Sequence, residues 1–213
     1  MPETVFADRR EAGRRLAAAL HERGLGEPGA IVAGIPRGGV PVGSEVAAAL
    51  GLPLRAIAAR KLGAPHQPEL AIGALGPDGA ALLDESLTSG MRVDPDWLER
   101  TIRTERAELT ARTERFPGIV GADDVAGRLV IVVDDGVATG ATAAAVGTWL
   151  AHVGAARSAL ALPVGPGSTL ERLERVYDEV VTLVRPTNFM AVGQWYRDFS
   201  QVTDDEVVAL LSS

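Results

Sequence analysis

The stretch Leu129-Val130-Ile131-Val132-Val133-Asp134-Asp135-Gly136-Val137-Ala138-Thr139-Gly140-Ala141-Thr142 decides the fold. Its first five residues are aliphatic, too few for a lone helix, and they stop abruptly at two carboxylates. Such a run reads as a central parallel strand buried on both faces, because a half-exposed strand alternates apolar with polar residues. The glycine-containing turn and the apolar helical pattern from Ala141 to Val153 then make a strand-to-helix crossover. A crossover of this kind leaves the first amides of the helix unpaired and aimed at the crevice above the strand ends, where anions bind.

Working outward, the same rhythm repeats. Ala30 to Ile35 is a short apolar run that breaks at Pro36-Arg37-Gly38-Gly39, and Val42 to Leu50 follows as a helix. Leu54 to Ala59 reads as a strand, closed by Arg60-Lys61 and a Gly/Pro-rich stretch through Pro68 that reads as a mobile loop. Ser158 to Val164 and Glu179 to Val184 read as further strands around a helix from Ser168 to Val176, and residues 6–23 as a first helix stopped by Gly24. The expected fold is α/β: a Rossmann-like, doubly wound, mainly parallel sheet with helices on both faces. Residues 1–213 are expected to form a single domain, since this length suits one well-cored unit with embellishments.

Three segments leave that rhythm. Ala71 to Leu75 and Ala80 to Leu83 pair as a hairpin over Gly76-Pro77-Asp78-Gly79. From Asp94-Pro95 to about Arg115, Leu98, Ile102 and Leu109 mark a long, highly charged inserted helix, a solvated arm or a dimer contact. Residues 186–213 hold Phe189, Trp195, Tyr196 and Phe199, four of the chain's nine aromatics, and read as a small C-terminal hood. Asp84, Glu85 and Glu69 take structural readings.

Composition closes off several classes of function. With no cysteine there are no disulfides, thiolate metal sites or cysteine nucleophiles, and His21, His66 and His152 lack ligand-like spacing. A net charge of −7 opposes nonspecific attraction to nucleic acid, so none is expected as a partner. No apolar run is long enough to cross a bilayer, and MPETVFADRR turns charged before a signal core forms, so a cytoplasmic protein without a membrane partner is expected. Neither G-x-x-x-x-G-K-[ST] nor G-x-S-x-G occurs, which removes the support for triphosphate hydrolysis and for a serine hydrolase.

The crossover itself suits phosphate and sugar. Gly136 and Gly140 let the backbone approach a ligand, and the hydroxyls of Thr139 and Thr142 join the amides of Ala138, Gly140 and Ala141 in a monophosphate nest. Hydrogen bonds to a charged group contribute roughly 1.5–3 kcal/mol each, so several hold a phosphate without a lysine. Asp134 and Asp135, acceptors only, suit vicinal sugar hydroxyls. On the residues alone, a capped turn with an acidic pair at a sheet edge competes with this reading. A tight turn competes at residues 36–39, and a solvated basic pair at Arg60-Lys61.

Leu129 to Thr142 closely resembles the binding signature of the type I phosphoribosyltransferases, the family that uses phosphoribosyl pyrophosphate. Gly136 departs from it, standing where many members carry an aliphatic residue, which implies a looser turn with its ligand contacts intact. The resemblance implies that Ala138, Thr139, Gly140, Ala141 and Thr142 hold the phosphate, and Asp134 and Asp135 the ribose. Pro36-Arg37-Gly38-Gly39 looks like the family's pyrophosphate loop, whose amides hold the diphosphate through an unusual peptide conformation. Arg60-Lys61 resembles a basic pair that neutralises the same group. By similarity, a nitrogen nucleophile displaces pyrophosphate from the anomeric carbon. Mg²⁺ is bound mainly through phosphoribosyl pyrophosphate, and Lys61 and the Arg37 loop stabilise the departing charge.

Oxopurine-specific members usually carry an aspartate where this chain has Ala138, so the signature is closer to the adenine type. The C-terminal segment distantly resembles the base-binding end of purine enzymes, which implies that Phe189 stacks on the base and that Asp198 contacts metal-bound water. An aromatic cluster that merely anchors the C-terminus is the competing reading. The expected partners are phosphoribosyl pyrophosphate and a nitrogenous acceptor such as a nucleobase, within a homodimer. The alternative is a regulator, RNA-binding in one form, that senses phosphoribosyl pyrophosphate without turnover. The acidic balance and the retained Arg37, Lys61 and aspartate pair favour an enzyme.

Overall fold

The structure is a computed structural model that describes residues 6–212, the side chains of Glu69 and Arg112 apart. The structural reading of Glu69, and the part of the N-terminal signal reading that falls on residues 1–5, lie outside the described residues. In chain order the first elements are α1 (Arg9–Glu22), β1 (Ile31–Gly34), α2 (Gly39–Leu50) and β2 (Leu54–Ala56). An inserted lobe follows: β3 (Arg60–Ala64), β4 (Gln67–Leu75), β5 (Ala81–Leu83), α3 (Glu85–Gly90) and α4 (Pro95–Thr113). The chain then returns through α5 (Ala122–Val125), β6 (Leu129–Val133), α6 (Ala141–His152), β7 (Arg157–Val164), α7 (Gly167–Leu173) and β8 (Glu179–Val184). A 3-10 turn, Val192–Trp195, and α8 (Asp204–Leu211) complete it.

The main sheet has five strands in the order β2-β1-β6-β7-β8, and every neighbouring pair is parallel. All five C-terminal ends therefore open onto one edge. The burial of β6 explains its unbroken aliphatic run. Leu129, Ile131 and Val133 pack against Leu16 and Leu20 of α1 and Val42 and Val46 of α2, while Val130 and Val132 face Val146 and Leu150 of α6 and Leu170 and Leu173 of α7. Both faces of the strand are dry, so neither tolerates a polar residue.

Helix ends follow local chemistry. Asp8 caps α1 by accepting from the Glu11 amide at 2.8 Å, and Ala12, Leu16 and Leu20 bury one stripe of that helix. Asp94 caps α4 through the Asp96 amide at 3.0 Å, with Pro95 at the first helical position. Asp84 does the same for α3, accepting from the Leu87 amide at 3.0 Å, which bears out its structural reading.

Three expectations are corrected. The stretch 60–68 is not a mobile loop but the hairpin of β3 and β4, closed across Ala64 and Gln67 by Pro65 and His66. His66 takes the positive φ (61°) that such a turn requires, a role usually signalled by glycine, so the sequence hid it. Next, α2 begins at Gly39, not Val42, because the glycine turn itself winds into the helix. Lastly, β2 ends at Ala56, where the backbone turns to bond the 118–120 segment: the Ala56 amide donates to the Gly118 carbonyl and the Val120 amide to the Ala56 carbonyl. The hairpin over residues 76–79 forms as expected, with Gly73, Ala74 and Leu75 opposite Leu83, Leu82 and Ala81.

The inserted lobe has its own small core of Leu62, Ala64, Ile72 and Leu75 under Leu109, flanked by Trp97, Leu98 and Ile102 of α4. Buried Trp149 of α6 packs against Gly76 in the β4–β5 turn and joins this lobe to the main sheet. Among the described residues, no helix is long and apolar enough to cross a membrane.

Candidate functional site

The crossover from β6 to α6 sits at the C-terminal edge of the sheet. Gly140, in the left-handed region at φ 69°, caps α6, so the amides of Ala141 and Thr142 open the helix toward the crevice. Ala138 and Thr139 are exposed at the loop tip. The loop is propped from behind by α7: the Thr169 hydroxyl donates to the Ala138 carbonyl at 2.8 Å, and Arg172 donates to the Thr139 carbonyl at 3.1 Å. With these carbonyls held from behind, the amides are left for an anion.

Gly136 does not loosen the turn, contrary to expectation. At φ 148° it packs so closely on the hood that a Cβ would lie 2.7 Å from Val192 Cγ1 and 2.9 Å from Val164 Cγ1. The aliphatic residue common at this position has no room here.

The acidic pair is already engaged. The Asp135 amide donates to Asp134 Oδ1 at 2.9 Å. Arg9 Nε donates to Asp135 Oδ2 at 2.8 Å, both side chains being mostly shielded from water. The Tyr196 hydroxyl donates to the Asp135 carbonyl at 2.6 Å. Burial raises the Asp135 pKa, with the Arg9 charge and hydrogen bond opposing. Burial and the nearby Asp135 charge push the Tyr196 phenol up as well, so it stays a hydrogen-bond donor.

The Pro36–Gly39 loop leaves β1 immediately beside this pair. Its Pro36–Arg37 peptide is cis. Gly38 lies directly against Asp135: a Cβ there would sit 2.0 Å from Asp135 Oδ2, so only glycine permits the contact. The two loops read separately from sequence thus touch. The Arg37 side chain turns toward α8, with Nη1 3.7 Å from Asp204 Oδ1.

Arg60 and Lys61 part company. Arg60 is bound to α4, pairing with Glu105 and with Glu108 at 2.8 Å, and does not share the cleft lining with Lys61. Lys61 lines a cleft of about 890 Å³ together with Ala138, Thr139, Gly140, Ala141 and Arg172. Phe189 is half-buried in the hood cluster of Phe6, Trp195, Tyr196 and Phe199, so the anchoring reading of these aromatics describes their packing. Asp198 is exposed and accepts from the Ser200 amide at 2.9 Å and from its hydroxyl, bonds that hold its carboxyl below the ordinary range.

A helix start with open amides, an acidic pair and a second glycine turn sharing one sheet edge agree with the comparisons with known proteins. The phosphoribosyl transferase domain model matches residues 7–200. This chain belongs to that family.

Two Mycobacterium tuberculosis proteins (strains CDC 1551 / Oshkosh and ATCC 25618 / H37Rv), each provisionally named a phosphoribosyl transferase, are 45% identical to this phosphoribosyl transferase domain over 207 residues. The match takes in 97% of this chain but 46% of each relative, so the chain spans about half their length. The crystal structure of TT1426 from Thermus thermophilus superposes with a TM-score of 0.88 at 42% identity, covering 97% of both chains. A hypothetical protein from Neisseria gonorrhoeae with bound ppGpp shares the fold at 11% identity and a TM-score of 0.50, covering 100% of this chain and 97% of that one.

Sequence reasoning missed Arg9, Tyr196, Thr169 and Arg172 in this phosphoribosyl transferase domain. Arg9 lay among arginines on the polar face of the first helix, and nothing local set it apart. Thr169 and Arg172 are three residues apart on α7, the spacing that puts both on one face, but only the β6–α6 loop gives that face a purpose. Among the described residues no group of three or more His, Cys, Asp or Glu side chains forms a metal cage. The carboxylates of Asp134 and Asp135 are hard oxygen donors of the kind that suits Mg²⁺.

Proposed function

We propose that this chain transfers the 5-phosphoribosyl group from phosphoribosyl pyrophosphate, as its magnesium complex, to a nitrogen nucleophile, a nucleobase in the simplest case. The observation that carries the reading is the contact of Gly38 with Asp135, which sets a diphosphate loop and a ribose-phosphate loop side by side. In this assignment Ala138 to Thr142 hold the 5-phosphate through amides and threonine hydroxyls. Asp134 and Asp135 face the ribose hydroxyls, and the Pro36–Gly39 backbone faces the diphosphate. The bond from the anomeric carbon to the pyrophosphate oxygen breaks with its electron pair leaving on pyrophosphate, and the acceptor nitrogen bonds to that carbon. Mg²⁺ supplies charge neutralisation on the substrate. Lys61 and Arg37 add positive charge from the protein.

The Arg37–Asp204 pair does not oppose this role. An ion pair this exposed contributes about 0.2–1 kcal/mol, less than one charge-assisted hydrogen bond to a diphosphate at roughly 1.5–3 kcal/mol, so the ligand wins the arginine. No carboxylate stands at Ala138 to take the proton of an oxopurine. The acceptor nitrogen therefore passes its proton to another base, and the departing pyrophosphate is a base that the reaction itself supplies. A second reading, a sensor that binds phosphoribosyl pyrophosphate without turnover, is favoured by one observation: Arg60 pairs with Glu105 and Glu108 of α4, which leaves Lys61 as the cation from this lobe that lines the cleft.

A pyrophosphate-release assay separates the two. Magnesium, phosphoribosyl pyrophosphate and a panel of purines, pyrimidines and small amines are expected to give release with at least one acceptor. Binding without release across the panel would establish the sensor, and no binding at all would remove both.

A further inference from the structure

We propose that Arg9 is a positioning residue that sets the geometry of the ribose site through Asp135; this rests on the reading above and deepens it. Arg9 makes more than an ordinary surface ion pair. Its Nε donates to Asp135 Oδ2 at 2.8 Å and its Nη1 to the Ser200 carbonyl at 2.8 Å. Its guanidinium carbon lies 3.9 Å from the centroid of the Phe199 ring, close enough for a stacked cation–π contact. Three groups from two parts of the chain thus fix one arginine, and the arginine fixes one carboxylate.

The backbone of the same residue is held as well. Tyr196 donates to the Asp135 carbonyl at 2.6 Å, and Oδ2, the oxygen bound by Arg9, is the atom against which Gly38 packs. Tyr196 is itself tied to the N-terminal segment: the Phe6 amide donates to the Trp195 carbonyl at 3.0 Å, and the Arg197 amide to the Phe6 carbonyl at 2.8 Å. Residues 6–9 and 195–200 therefore form a two-stranded clasp behind the acidic pair. Because one oxygen of Asp135 is spent on Arg9 and on contact with Gly38, the clasp dictates which oxygen remains for a sugar hydroxyl and how far the diphosphate loop stands from the ribose loop. In this role Arg9 acts through Asp135.

The chemistry separates this role from general stabilisation. The phosphate nest at Ala138–Thr142 takes its support from Thr169 and Arg172 of α7, on a different element from Arg9. Loss of Arg9 is therefore expected to damage recognition of the sugar and spare recognition of phosphate. The test measures, by titration calorimetry with magnesium present, the binding of phosphoribosyl pyrophosphate, ribose 5-phosphate and inorganic phosphate to the wild type and to Arg9→Met, Arg9→Lys and Tyr196→Phe.

Arg9→Met is expected to weaken both ribose-containing ligands at least tenfold and to leave inorganic phosphate within twofold. Arg9→Lys, which restores the charge but not the guanidinium fork, recovers part of the loss. Tyr196→Phe, which keeps the ring and loses only the donor, reproduces the pattern more weakly should Arg9→Met fail to fold. Equal weakening of all three ligands, or no weakening of any, would overturn the positioning role while leaving the transferase reading standing. Failure of the wild type to bind either ribose-containing ligand would instead remove the reading on which it rests.

Discussion

The sheet edge and the inserted lobe meet across one cleft, yet they are held by different physics. The edge loops grow from β1 and β6, each with neighbours on both sides in the parallel sheet and dry on both faces. The lobe that brings Lys61 is a three-stranded antiparallel sheet with one covering helix. Its buried set, Ala58, Leu62, Ala64, Ile72, Leu75 and Leu109, is small, and α4 offers a polar outer face laced with exposed ion pairs. The difference gives the proposed function a division of labour: the doubly buried sheet would fix the phosphate and ribose positions, and the lobe with the smaller core would present Lys61, a part of the molecule expected to open at lower cost.

The largest expected effect comes from opening a cavity in each region. Ile131→Ala should cost roughly 2–5 kcal/mol of global stability, read as a lowered urea midpoint, because Ile131 is buried in the central strand. Leu109→Ala carries a similar cost locally but should appear mainly as faster amide exchange in residues 60–83, with β6 and β7 still protected. Equal acceleration of exchange in both regions would break the comparison.

Next in size is the loop itself. Thr139→Val removes one hydroxyl donor from an exposed loop tip and should weaken binding of phosphoribosyl pyrophosphate by about 1.5–3 kcal/mol without moving the unfolding midpoint. A matching loss of stability would show that Thr139 belongs to the scaffold.

A smaller effect is expected from pH. Asp135, faced by Arg9 from α1, Tyr196 from the hood and Asp134 from its own loop, holds its proton more tightly in the folded chain than in the unfolded one. The unfolded state therefore binds fewer protons in the window above the ordinary value of 3.8, and the contribution of Asp135 to stability declines as pH rises through that window. Comparing urea midpoints of the wild type and Asp135→Asn across the carboxylate range should show the wild type losing ground with rising pH. An opposite slope would mean that the Arg9 charge outweighs burial.

The smallest effect belongs to the lobe's surface. Arg60→Ala breaks part-exposed pairs with Glu105 and Glu108 and should cost under about 1 kcal/mol, with ligand binding unchanged. A large loss of affinity would return Arg60 to the site.

Legibility followed the range of the interactions. The burial of β6 was readable from five aliphatic residues in a row, and the hairpin over residues 76–79 from a Gly-Pro-Asp-Gly turn, since both are written in adjacent positions. The β3–β4 hairpin was not, because its turn uses His66 where glycine is the usual sign and its register is interrupted at Gly63. The glycines at 38 and 136 were visible as turn residues. Their neighbours, Asp135 for one and Val192 for the other, are remote in sequence.

The sequence by itself determined the parallel sheet, the helices on its two faces and the acidic, glycine-containing crossover at the end of its central strand, because strand burial and helix-start chemistry act between near neighbours. Only the tertiary structure decided that Arg60 turns away while Lys61 lines the cleft, that α7 props the phosphate loop, and that Arg9 and Tyr196 close on Asp135. Those contacts join residues up to 126 positions apart, as Arg9 and Asp135 are, and no local pattern encodes a partner that chain folding alone brings near.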